Sequence, residues 1–132
     1  MMKILVPYRG MRTIQELLAG YDWYNPGVTD ENFPFERHDD VEVPVEFIPF
    51  GKAIDEGTGT KEIIATLTEK GLRGLNAAES LALGKIKREQ PINGFGQTSK
   101  EGYIVCAVNG RAIMTTFTGR WSSGIEIPAT PI

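Results

Sequence analysis

The chain has 132 residues, 41% of them apolar and 23% charged, with one cysteine and a formal net charge of −3. That length can bury a core without staples, and the composition excludes fibrous and disordered classes. The acidic balance argues against a nucleic-acid partner, and the lone Cys106 excludes an internal disulfide framework.

In chain order, Lys3 to Val6 reads as a short strand or a tethered terminus. Its apolar run is too short for a signal peptide, and Pro7 ends it. Thr13-Ile14-Gln15-Glu16 has the spacing of a capping box, and Ile14, Leu17, Leu18 and Tyr21 continue at helical spacing until Gly20 offers a stop. Tyr21 to Asp40 shows little periodicity and reads as a long loop. Asn25-Pro26-Gly27 forms a turn in it, and Phe33 and Phe35 around Pro34 are placed to lay rings on the core. From Val41 to Phe50 apolar residues alternate with Glu42 and Glu46, which predicts a strand with one wet face. Pro44 and Pro49 cannot donate ladder bonds, so an edge or bulged strand is expected.

Thr60 reads as the cap of a second helix whose buried stripe is Ile63, Ile64 and Leu67, with Gly71 as a left-handed stop. Asn76 with Glu79 forms a second capping box. It opens a helix with Ala78, Leu81 and Ala82 on its inner face, which Gly84 ends or weakens. Lys85, Lys87 and Arg88 lie where positive charge complements the helix dipole. Pro91 to Gly96 reads as a short strand. Tyr103–Val108 and Arg111–Phe117 flank Asn109-Gly110, the strongest short-range hairpin signal, and this register sets Cys106 opposite Ile113 and Val105 opposite Met114. Both faces of that hairpin are apolar, so it is expected to be central. Ile125 and Ile127 predict one more short strand before Pro128 and Pro131. No repeat or boundary interrupts the chain. The expectation is one α+β domain over residues 1–132, with a mixed or antiparallel sheet, two or three short helices and a C-terminal hairpin.

The search for chemistry returns little. His38 is the only histidine, which excludes any multi-histidine metal site. The stretch from Val28 to Glu56 holds nine acidic residues against two basic ones, and the bland reading is a solvated face. Neighbouring residues on an extended chain point to opposite sides, so Glu36-Arg37-His38-Asp39-Asp40 does not converge on a cation. Cys106, mid-strand in an apolar run, reads as a small hydrophobe. Gly57-Thr58-Gly59 lacks the ending of a phosphate loop, and Gly94-Phe95-Gly96 follows a helix where such a loop would precede one. Aromatic side chains remain. Trp23 and Tyr24 on the long loop and Trp121 near the C-terminus are the candidate ligand-binding residues, because large rigid rings lose little entropy on contact. Packing of the same rings onto the core is the competing reading.

Gly71-Leu72-Arg73 through Leu83-Gly84, followed by Gln90-Pro91-Ile92, resembles a motif of a large group of uncharacterised bacterial proteins from candidate phyla. In that family Gly-Leu-Arg-Pro-Ala-Thr leads into a Leu-Ala-Leu-Gly helix and a Pro-Ile strand. Val45-Glu46-Phe47, Asp22-Trp23 and Asn32-Phe33-Pro34 are similar to its N-terminal half, so the resemblance covers Thr13 to Gly96. Gly74 stands where the family has proline, and Asn76 replaces a threonine cap. The tryptophan-rich tail that suggests a C-type-lectin-like module is absent from this sequence. The resemblance implies a shared fold, and no activity is attached to it.

These readings point to a non-enzymatic binding or interaction module with a protein or small-molecule partner. Two alternatives stand beside it: a small carboxylate-dependent enzyme using Asp39, Asp40 or Glu42, with or without a metal, and a structural homo-oligomer assembled through an edge strand. No catalytic residue, cofactor or metal ligand is assigned. No stretch approaches the roughly 18 apolar residues of a membrane span, so a soluble, cytoplasmic protein with no membrane partner is the expectation.

Overall fold

A computed structural model describes residues 2–10, 13–34, 39–51, 59–87, 92–95, 103–108, 110–116 and 125–132. The elements run β1 (Met2–Val6), a 3-10 turn (Tyr8–Gly10), α1 (Ile14–Leu18), β2 (Trp23–Tyr24), β3 (Val41–Phe50) and α2 (Gly59–Glu69). They continue with β4 (Leu72–Gly74), α3 (Ala77–Ile86), β5 (Ile92–Phe95), β6 (Tyr103–Val108), β7 (Arg111–Thr116) and β8 (Ile125–Pro131). Two four-stranded sheets result, ordered β1-β3-β8-β4 and β2-β7-β6-β5. The first is antiparallel throughout, whereas the second is mixed because β2 runs parallel to β7. The fold is therefore α+β, with three α-helices among the described residues.

The first sheet is strongly staggered. Val41–Val45 of β3 pair with β1, and Glu46–Phe50 pair with β8. β8 in turn passes from β3 to β4 at Ala129, which pairs with both Glu46 and Gly74. This corrects two expectations. β3 stands between β1 and β8 in the sheet order and is not an edge strand along its whole length, and β8 runs through Pro128 and Pro131, which were expected to close it. The stagger explains both. Each half of β3 has a partner on one side only, so a proline there can turn its missing donor to the unpaired side.

Two cores sit on opposite faces of this sheet. Val43 and Val45 of β3 join Ile4, Val6, α1, α3, Val28 and Phe33 in the first. Ile48 and Phe50, on the other face, join Ile63, Leu67, Leu72, Ile127 and Ala129 in the second. The second sheet is divided in the same way, because Val105 belongs to the first core and Cys106 to the second. The hairpin register is the one expected, Cys106 opposite Ile113 and Val105 opposite Met114, and β6 and β7 are the two interior strands. Gly110 turns with φ +79°, while Asn109 lies outside the described residues.

The helices show where local signals compete with tertiary ones. At α1, Thr13 makes no side-chain cap. The capping box read there does not form, and Asp30 Oδ1 accepts from Ile14 N at 2.5 Å instead. A carboxylate from the following loop satisfies a first-turn amide and suits the positive helix end. α2 begins at Gly59, so Thr60 lies inside it, and Ile64 is 48% exposed, outside the stripe made by Ile63 and Leu67. Gly71 does close α2 in the left-handed region, at φ +73°.

α3 is buried from Ala77 to Gly84 without a break, so its inner face is wider than the three residues read from the sequence. It packs on β5 and β6, on β1 and on α1. Gly84 neither ends nor interrupts it, since the helix runs on to Ile86. A Cβ at position 84 would lie 2.3 Å from Ala107 Cβ and 2.4 Å from the Tyr21 hydroxyl. Close approach to β6, not helix termination, is what requires glycine there.

Candidate functional site

The loop after α1 is held by its own polar side chains. Asn25 Oδ1 accepts from Gly27 N, Val28 N donates to Asn25 O, and Asn32 Nδ2 donates to Gly27 O. The Asn25-Pro26-Gly27 turn therefore forms as an Asx-type turn closed at Val28. Val28 and Phe33 anchor the loop in the first core, as expected of a segment draped over it. Phe35 lies outside the described residues.

At the start of that loop Asp22 N donates to Gly110 O and Asn25 N to Ala112 O, which fixes β2 alongside β7. Trp23 then pairs with Arg111 and Tyr24 with Ala112. Trp23 is 45% and Tyr24 43% exposed, so neither ring is buried in either core. Tyr21, two residues earlier, is the ring that packs. It lies against the first core and donates its hydroxyl to Leu81 O. Trp121 lies outside the described residues, and Trp23 and Tyr24 are consecutive residues of β2.

Arg111 is the neighbour that sequence reasoning missed. It is exposed and sits directly across from Trp23. The hairpin signal placed it at the start of a strand, but no local pattern pairs residues 23 and 111. Partners on adjacent strands share a sheet face, so the indole and the guanidinium belong to the same side, with Tyr24 on the other.

The carboxylates of the alternative reading are arranged differently. Asp39, Asp40 and Glu42 are all exposed, and Asp40 Oδ1 accepts from Arg9 N at 2.9 Å, tying the 3-10 turn to the entry of β3. Among the described residues no group of three or more His, Cys, Asp or Glu side chains is placed to hold a metal ion. His38 and Gly57-Thr58 lie outside them. Cys106 is buried.

A dense polar cluster lies where the 3-10 turn, β4 and α3 meet. Glu79 is 3% exposed and performs three tasks at once. Its backbone N–H donates to Asn76 Oδ1, its carboxylate accepts from Asn76 N, and the same carboxylate takes a bidentate pair of bonds from Arg73 at 2.8 and 3.1 Å. The capping box read at this helix therefore forms, with an ion pair added. The hydrogen bonds to Glu79 hold the Arg73 guanidinium above its usual pKa, against the opposing effect of burial. Asn76 Nδ2 also donates to the Tyr8 hydroxyl, whose pKa burial raises. Beside them the Ser80 hydroxyl is buried with no hydrogen-bond partner among the described residues. The cluster joins one end of the first sheet to the helix between the sheets, which is a structural task.

Comparison with known proteins adds no relative: no family model, no curated protein and no solved structure matches the chain.

Proposed function

We propose that the chain is a non-enzymatic interaction module that docks a partner protein on the outer edge of the second sheet, through Trp23 and Tyr24 with Arg111 beside them. The observation that carries this reading is that two consecutive strand residues, both large aromatics, are 45% and 43% exposed. Successive side chains on a strand point to opposite faces. A strand covered on either face would bury one of the two rings. Exposure of both supports the strand edge as the open feature, and among the described strands β2 is outermost in its sheet. A partner approaching edge-on meets both rings, one from each face. Tryptophan, tyrosine and arginine are also the side chains that dominate binding energy at protein interfaces.

The test compares wild type with the Trp23→Ala/Tyr24→Ala double variant. Proteins cross-linked to wild type in the host cell are identified, purified and titrated against both forms. Loss of two anchoring rings is expected to weaken binding by about 30-fold for each ring, and by up to about 1,000-fold together, from about 2 kcal/mol per interface hot spot. Retained affinity in a double variant that melts at the wild-type temperature overturns the reading. Sedimentation of the two forms alone separates a second outcome, in which wild type self-associates, the variant does not, and the partner is another copy of the chain.

A further inference from the structure

We draw no further inference here: the strongest candidate beyond the β2 edge, the Tyr8–Arg73–Asn76–Glu79 cluster where the 3-10 turn, β4 and α3 meet, is held by hydrogen bonds that cap the helix and join its own members, and nothing in it points to a ligand.

Discussion

Arg73 and Glu79 share one ion pair but not one environment. The Glu79 side chain is 4% exposed, while the Arg73 side chain is 31% exposed. Removing either partner therefore has unequal consequences. Arg73→Ala leaves a buried carboxylate without its counter-ion and is expected to cost about 3–5 kcal/mol. Glu79→Gln leaves the cation able to turn toward solvent and retains an acceptor for the cap, and should cost about 1–2 kcal/mol. Urea midpoints at unchanged slope check the difference. Equal losses would show that burial of the carboxylate is not what matters. The hydroxyl of Tyr8 supplies a pH test at the same cluster. Its folded pKa lies above the ordinary value of 10.0, chiefly because the phenol is buried. A group that holds its proton more tightly when folded contributes stability below the unfolded pKa, and that contribution is lost as pH rises. Wild-type stability should accordingly fall as pH passes 10, and Tyr8→Phe should fall less steeply over the same range. Parallel slopes for the two proteins in alkaline denaturation would contradict this.

The behaviour of α3 as an element turns on Gly84. Helix propensity alone says that Gly84→Ala should stabilise by about 1 kcal/mol. The fold says the opposite, because the added methyl would meet Ala107 Cβ at 2.3 Å, and a side chain already reduced to one carbon cannot fold away. Overpacking of this kind costs about 1–3 kcal/mol. Gly84→Ala is expected to lower the melting temperature, and Ala107→Gly in the same chain should restore part of the loss by opening the facing strand. A rise in melting temperature for the single variant would show that the helix can move off β6. The same competition explains α1, where Asp30 displaces Thr13 from the capping role, and α2, where Ile64 fits the helical spacing but faces water. In each case the local rule was satisfied by more than one arrangement, and a contact from elsewhere in the chain selected among them.

For the molecule as a whole, the two cores meet at shared strands. β3 contributes Val43 and Val45 to one core and Ile48 and Phe50 to the other, while adjacent residues of β6, Val105 and Cys106, do the same. A strand cannot leave one core and remain registered in the other, so the two are expected to melt together. Leu81→Ala in the first core and Ile63→Ala in the second should each cost about 2–5 kcal/mol. Each should also shift a single transition seen identically by circular dichroism and by labelling of the Cys106 thiol. Two separated transitions in either variant would mean that the cores are independent units.

Much of this architecture was legible in the residues themselves. Asn109-Gly110 between two apolar runs set the hairpin register, because a two-residue turn leaves no freedom in which side chains face one another. Asn76 and Glu79 marked the start of α3, and Gly71 the end of α2, because caps and left-handed stops are chemistry within a few residues. Of the candidate site, Trp23 and Tyr24 were legible as aromatics in a loop, but their exposure and their neighbour Arg111 were not. Those depend on β2 lying parallel to β7 across nearly ninety residues of chain, a pairing that two residues are too few to encode. The position of β3 inside its sheet, the passage of β8 through two prolines and the need for glycine at position 84 were likewise decided by tertiary structure. The sequence by itself determined what each segment prefers, since turns, caps and apolar periodicity are local. Which strand is central, which side chain is covered and which edge is left open follow from the stagger of the sheets, a property of segments meeting that no single segment carries.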